Sequence, residues 1–173
     1  MRKKQEMKNK YPKTNYAFID SQNVNLSIRE QGWRLDFKKF RIYLEDKFNI
    51  KKAYLFTGFI PKYQKMYNFL TKAGFTIIFK DIIEYSEGEE RIIKGNCDAE
   101  LVLQAMIDIQ NYDQAIIATN DGDFSCLIKY LINQNKLLYV LSPSREKCSI
   151  LLRKAARKKI IYMDDMRKLL GRP

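Results

Sequence analysis

Short apolar runs alternate along the chain with longer segments in which apolar residues recur every three or four positions. The runs are typical of buried β-strands, and the recurring positions are typical of helices that pack one face on a sheet. Strands are predicted at residues 16–19, 53–57, 75–79, 115–118, 136–141 and 160–163. Because strands and helices alternate, the pattern indicates an α/β fold, with a mainly parallel sheet and helices on both faces.

One segment departs from this alternation, and two others at the ends of strands continue it. Residues 82–94 hold two apolar runs around Ser-Glu-Gly-Glu-Glu and are predicted as a small hairpin. Residues 20–25 are predicted as the turn that ends the first strand, because Asp, Ser and Asn all favour turns. The chain is predicted to end in a helix from Asp164 through Leu170.

A further helix is predicted to begin near Pro61 and to end at Gly74. Its apolar and aromatic residues recur at helical spacing: Tyr63, Met66, Tyr67 and Leu70. We interpret them as core contacts rather than as a platform for nucleobases.

Aspartates follow two of the predicted strands directly. Asp20 ends the first strand, and Asp121 and Asp123 follow the fourth. One interpretation is structural, since Asp123 can cap the next helix and Asp121-Gly122 can form a turn. The other is a ligand site, because open parallel sheets bind ligands outside the carboxyl ends of the strands, at the point where the strand order reverses. A strand order near 3-2-1-4-5 would make the first and fourth strands neighbours and would bring these acids together.

A fourth acid, Asp98, lies near the start of a helix predicted to begin around Asn96. It precedes Leu101 and Val102 by three and four residues, so it shares their buried face. Glu100 is predicted to point outward. An acid in a first helical turn has an ordinary explanation in the helix dipole, and that alternative stays open here.

The chain is strongly basic, with 32 Lys and Arg against 20 Asp and Glu and a net charge of +12. Residues 1–13 hold six basic and one acidic residue and are predicted as a flexible basic arm, while residues 14–173 are predicted as a single domain. A second basic segment, residues 145–159, includes Arg153, Lys154 and Arg157. This charge favours a polyanionic partner.

The absence of histidine from the sequence limits the chemistry that the chain can perform. Three cysteines without Cys-x-x-Cys spacing predict neither a disulfide framework nor a zinc site, and they favour a reducing cytoplasm. No apolar run is long enough to predict a membrane span or a signal peptide. Converging carboxylates would form an all-oxygen site, which suits Mg²⁺ or Mn²⁺.

Three blocks of the sequence resemble the signature blocks of NYN domains, in their LabA-like branch, which belong to the wider group of PIN-like nucleases. They are Phe-Ile-Asp-Ser-Gln-Asn at 18–23, Lys-Gly-Asn-Cys-Asp-Ala-Glu-Leu at 94–101 and Ala-Thr-Asn-Asp-Gly-Asp-Phe at 118–124. The resemblance implies a Rossmann-like three-layer α/β/α sandwich and a divalent-metal ribonuclease site. It implies metal-binding and catalytic roles for four acids: Asp20, Asp98, Asp121 and Asp123. It also implies substrate contacts from Asn23, Thr119 and Lys94.

Two hypotheses about function follow. The chain is either a metal-dependent endoribonuclease that cleaves single-stranded or structured RNA, or a non-catalytic module that binds RNA or protein through the same fold. Four mutually repelling acids in a basic protein favour the first hypothesis. Where RNA is the partner, Arg153, Lys154 and Arg157 are predicted to bind its backbone. No phosphate-binding glycine motif supports a nucleotide-binding enzyme, and the oligomeric state stays open, a homo-oligomer included.

Overall fold

The computed structural model describes the backbone of residues 13–80, 83–87, 90–94 and 96–172, and the side chains of residues 13–80 and 96–172. The basic arm predicted for residues 1–13 lies outside these ranges apart from Lys13, and so does the side chain of Lys94. The arm, the domain boundary and the role of Lys94 therefore stay predictions.

Strands and helices alternate through most of the described chain. The strands are β1 (Asn15–Asp20), β2 (Ile50–Gly58), β3 (Phe75–Lys80), β4 (Ile83–Glu87), β5 (Glu90–Lys94), β6 (Gln114–Ala118), β7 (Leu137–Ser142) and β8 (Ile160–Tyr162). The helices are α1 (Ser21–Glu30), α2 (Phe37–Phe48), α3 (Gln64–Lys72), α4 (Asp98–Ile107), α5 (Ser125–Asn133), α6 (Ile150–Ala156) and α7 (Arg167–Leu170). Short 3-10 turns precede α3, α5 and α7 at Pro61–Tyr63, Gly122–Phe124 and Asp164–Met166.

Six strands form one parallel sheet in the order β3-β2-β1-β6-β7-β8. The other two strands, β4 and β5, form the predicted antiparallel hairpin. With the hairpin left out, β6 and β7 are the fourth and fifth strands of the sheet, so the predicted order 3-2-1-4-5 is confirmed and extended by β8. Because β1 pairs with β6, the carboxyl ends of these two strands lie side by side at one edge of the sheet.

The sheet is buried on both faces, which gives the predicted three layers. Alternate residues of β1 point to opposite faces, since Ala17 and Ile19 belong to one apolar cluster and Phe18 to the other. The first cluster includes buried residues of α1, α2, α3 and α7. The second includes buried residues of α4, α5 and α6. Among the helices of the described ranges, none combines the length and apolar character that a membrane span requires.

The segment after β1 differs from its predicted structure. It is a helix rather than a turn, because the Asp20 side chain accepts a hydrogen bond of 3.1 Å from the Asn23 backbone N–H and so caps the first turn of α1. Val24 and Ile28, one turn apart, are fully buried against the sheet. This burial outweighs the weak helix propensity of the Ser and Asn residues in the segment.

Candidate functional site

Three carboxylates meet at the carboxyl edge of the sheet. Asp98, Asp121 and Asp123 each place one carboxylate oxygen within 4.8 Å of the others. Asp98 begins α4, whereas Asp121 and Asp123 belong to the loop between β6 and α5. The β1–β6 pairing and the packing of α4 across β1 bring these distant parts of the sequence together.

Asp20 lies beside this group, at the end of β1. Burial raises the pKa of Asp20 to about 6, and the negative charges of Asp98 and Asp121 add to the effect. Burial also raises the pKa of Asp98, with further contributions from Asp121 and Asp123. The structure thus brings all four predicted acids into electrostatic contact, although their catalytic and metal-binding roles remain a proposal.

The loop that carries Asp121 and Asp123 is held by hydrogen bonds that fix both acids. Thr119 is fully buried; its hydroxyl donates to Asp20 over 3.5 Å and accepts from the Asp121 backbone N–H over 3.1 Å. Thr119 therefore positions two acids, and its contact with substrate stays a prediction. Asp121 accepts a hydrogen bond of 2.9 Å from the Asp123 backbone N–H. The capping role considered for Asp123 thus belongs to Asp121, and the Asp123 carboxylate is exposed.

Asn120 is the centre of a buried polar network that the sequence did not reveal. Its side-chain N–H donates to the Ser27 hydroxyl at 3.0 Å, and its side-chain oxygen accepts from the Ser142 hydroxyl at 2.6 Å. Its backbone N–H donates to the Asn23 side-chain oxygen at 2.8 Å. Asn120 thus joins the β6 loop to α1 and to the end of β7. Asn23 was predicted to contact substrate, but its side-chain oxygen already supports this loop.

Gly122 lets the loop pass close to the beginning of α6. A Cβ atom at this position would lie 2.4 Å from the Ser149 hydroxyl oxygen and 3.1 Å from the Ser149 Cβ. Ser149 caps α6 by accepting from the Leu151 backbone N–H at 3.2 Å. The glycine between the two aspartates is therefore required by close packing.

The start of α4 is fixed by Asn96 and Lys80. The Asn96 side chain donates to the Asp98 carboxylate at 2.7 Å and accepts from the Asp98 backbone N–H at 2.8 Å. Lys80, at the end of β3, donates to the Asn96 backbone carbonyl at 2.6 Å and pairs with Glu100 at 3.1 Å. Glu100, which was predicted to point outward, is thus paired with a lysine and keeps 31% of its side chain exposed. Lys80 was not among the predicted site residues, although its place at a strand end was a usable signal.

The donor atoms of the site suit a hard divalent cation. Within the described residues, no lysine or arginine forms a salt bridge with Asp20, Asp98, Asp121 or Asp123. The nearby Cys97 thiol favours its protonated form, because burial and surrounding acids raise its pKa to about 11. Carboxylate oxygens are therefore the donors available here, and Mg²⁺ and Mn²⁺ prefer oxygen ligands.

The predicted basic residues are exposed on and just after α6. Arg153, Lys154 and Arg157 are exposed along and just beyond α6, the helix whose first residues pack against the 3-10 turn that contains Asp123. They are not among the residues hydrogen bonded or paired to the acids in the described chain. Of the predicted substrate-binding residues whose side chains the structure describes, these three alone are exposed, whereas Asn23 is partly buried and Thr119 is buried.

A comparison with known protein families shows to which family the chain belongs. The family model of the NYN domain matches residues 16–164, which include all four acids. The chain belongs to the NYN domain family. This family is one of the PIN-like nuclease families.

One protein with a related sequence and one solved structure of similar fold add to this assignment. The chain is 26% identical over 132 residues to the low amplitude and bright protein LabA of Synechococcus elongatus, covering 72% of this chain and 71% of LabA. That similarity supports the LabA-like branch. A crystal structure of a protein of unknown function from Vibrio parahaemolyticus superposes with a TM-score of 0.77 and 23% identity, covering 94% of this chain and 98% of the other. It supports the fold.

Proposed function

We propose that this NYN domain protein is a divalent-metal-dependent endoribonuclease. The observation that carries the proposal is the meeting of Asp98, Asp121 and Asp123 within 4.8 Å, with Asp20 beside them. Acids so close together repel each other, and this arrangement costs stability unless a cation is bound between them. A protein with a net charge of +12 has no need of such a cluster for solubility.

In this proposal Asp98, Asp121 and Asp123 hold Mg²⁺ or Mn²⁺, and Asp20 completes the negative site from the end of β1. A bound cation would act as a Lewis acid on an RNA phosphodiester and on the water that attacks it. The chain supplies a rigid frame for this chemistry. Thr119 fixes Asp20 relative to Asp121, and Asn96 fixes Asp98.

RNA is the proposed substrate because of the basic surface and because of the family. Arg153, Lys154 and Arg157 would contact phosphates of the strand outside the acids, and Lys94 would add a further cation. We place this activity in the cytoplasm, where Cys97, Cys126 and Cys148 would remain unpaired, as they are in the structure.

The direct test is RNA cleavage with Mg²⁺, with Mn²⁺ and with a chelator, on single-stranded and on structured RNA. We expect cleavage that requires the metal and internal cuts rather than trimming from the ends. RNA binding in chelator should weaken steeply with salt, because phosphate contacts release counterions. Binding without cleavage under every metal condition would contradict the proposal and would favour the non-catalytic module.

A further inference from the structure

A cavity opens at the carboxyl edge of the sheet, beside the first residues of α1. It has a volume of about 560 Å³, within the ordinary range of ligand sites. Its lining includes Ser21 and Gln22, which follow Asp20 directly, and Thr57 and Gly58 at the end of β2. Because Ser21 and Gln22 directly follow Asp20, one end of the cavity lies near Asp20, and the lining continues along α1 and α3. We call it the α1–α3 cleft after the helices on its two sides.

One wall of the α1–α3 cleft is apolar and unexpectedly exposed. Tyr63 is 42% exposed, Met66 is 45% exposed and Phe69 is 43% exposed. In contrast, Tyr67 and Leu70 are nearly fully buried below them. The interpretation of this helix as core is therefore right for Tyr67 and Leu70 and wrong for Tyr63 and Met66.

The apolar wall is anchored to the sheet. The Tyr67 hydroxyl donates to the Gly58 carbonyl at 3.2 Å and accepts from the Ile60 backbone N–H at 3.0 Å. This pair of bonds fixes the beginning of α3 relative to the end of β2. The exposed side chains on α3 are therefore presented by a structured element.

Three arginines line the same cleft: Arg29, Arg34 and Arg172. None of them forms a salt bridge with a carboxylate among the side chains that the structure describes. No aspartate or glutamate is among the lining residues. The cleft thus combines an apolar wall with guanidinium groups that lack acidic partners in the described chain, which is the complement of a base joined to a phosphate.

We propose that the α1–α3 cleft binds an unpaired nucleotide of the RNA strand, next to the phosphodiester held at the acids. Its base would lie against Tyr63, Met66 and Phe69, and its phosphate would face the arginines. The choice of RNA as occupant rests on the proposed function. A base in a duplex is already paired and stacked, so the cleft selects single-stranded RNA.

The test measures binding without metal, so that cleavage plays no part. The full chain is titrated in chelator at low salt with a short single-stranded RNA that carries one 2-aminopurine, and with a duplex of the same length. The variants are Tyr63→Ala with Phe69→Ala, Arg29→Ala with Arg34→Ala, and Met66→Glu. The matched controls are Tyr130→Ala, an equally exposed tyrosine on α5, and Lys129→Ala beside it.

We expect the cleft variants to lower the affinity for single-stranded RNA by about 10-fold or more, as loss of base stacking does elsewhere. The fluorescence quenching of 2-aminopurine should decrease with Tyr63→Ala and Phe69→Ala, duplex affinity should change little, and the controls should match the parent. Urea unfolding verifies that each variant is folded. Met66→Glu is included because it changes the charge of the apolar wall while keeping a long side chain, whereas Tyr63→Ala and Phe69→Ala remove the side chain.

Single-stranded RNA affinity equal to the parent's in all folded cleft variants would overturn the inference, and would leave the cleft to a peptide or small apolar ligand. Loss of duplex and single-strand binding in equal measure would overturn it as well. Because no metal or cleavage enters this experiment, its outcome is separate from that of the nuclease proposal. A parent protein that binds through the cleft but never cleaves RNA would refute the nuclease proposal alone.

Discussion

The side-chain oxygen of Asn23 accepts a hydrogen bond of 2.8 Å from the backbone N–H of Asn120, which lies 97 positions later in the sequence. This bond joins the first turn of α1 to the loop after β6. Asp20 caps that turn, and Asp121 directly follows Asn120. The bond therefore fixes the start of α1, which Asp20 caps, relative to the loop that carries Asp121 and Asp123. Neither asparagine is itself one of the four acids.

Replacement of Asn23 by alanine should loosen this link. The substitution leaves the backbone N–H of the buried Asn120 without its partner. An unsatisfied buried donor lowers the free energy of unfolding by about 1–3 kcal/mol. We expect lower stability in urea and a greater loss of metal-dependent cleavage than the loss of stability explains. Asn133→Ala, at an exposed asparagine of α5, serves as control. Parent-like stability and cleavage in Asn23→Ala would contradict the role given to this bond.

A methyl group at Gly122 should disturb the same loop from the other side. The Gly122→Ala Cβ would collide with Ser149, and such overpacking costs about 1–3 kcal/mol. Ser149→Gly in the same chain removes the colliding atoms. We therefore expect the double variant to regain part of the stability lost by Gly122→Ala, and a double-mutant cycle in urea measures this coupling. Additive effects of the two changes would show that the close approach is unimportant.

The raised pKa of Asp20 predicts how the metal-free protein responds to pH. Its pKa is about 6 in the folded state, against about 3.9 for an unperturbed aspartate. The stability contributed by the protonated form is present in full below the unfolded value and is lost as pH rises through about 6. Asp20→Asn should therefore melt at a higher temperature than the parent near pH 8 in chelator, and the difference should shrink near pH 5.

A bound metal ion should offset the repulsion that destabilises the parent near pH 8, because the ion binds the native state. We expect Mg²⁺ or Mn²⁺ to raise the melting temperature of the parent more near pH 8 than near pH 5, and to raise that of Asp20→Asn less. Asp46→Asn, at an exposed aspartate of α2, should behave as the parent. Equal melting curves for the parent and Asp20→Asn in chelator at every pH would contradict the electrostatic account of the site.

The sequence predicted the strand order and the convergence of the acids, because both depend on strong local patterns. Buried strands are continuous apolar runs, and the aspartates stand directly at their ends. The helix α1 was missed because its segment is rich in Ser, Gln and Asn, and its buried residues Val24 and Ile28 are few. Tertiary burial, which no local pattern displays, decides such a segment.

The supporting residues of the site were harder to predict for the same reason. Asn120 looked like an ordinary turn residue, yet its side chain joins segments that are far apart in sequence. Tyr63 and Tyr67 occur in the same apolar stripe, but one is 42% exposed and the other 3%. The spacing of apolar residues predicts which face of a helix is apolar. Whether a residue at the edge of that face is buried or lines a cleft depends on the elements that pack beside it.

The basic surface of α6 should contribute to binding but not to the metal site. Charge reversal at Arg153, Lys154 and Arg157 should weaken RNA binding and reduce the slope of its salt dependence by about 1 for each lost phosphate contact. The rise in melting temperature with metal should be unchanged. Charge reversal at Lys47, Lys51 and Lys129, which are also exposed, is the control for net charge. An equal loss of affinity in both triple variants would show that α6 makes no specific contact.

The most direct test of the central claim is the RNA cleavage rate of Asp123→Asn with Mg²⁺ and with Mn²⁺, measured beside its affinity for the same RNA in chelator. The substitution keeps the size of the exposed side chain but removes one negative charge from the group of three acids. We predict that cleavage is abolished while affinity is equal or slightly higher, because a negative charge near phosphate has been removed. Asp46→Asn should cleave as the parent does. Cleavage by Asp123→Asn at the parent's rate would contradict the assignment of these acids as a metal-dependent nuclease site.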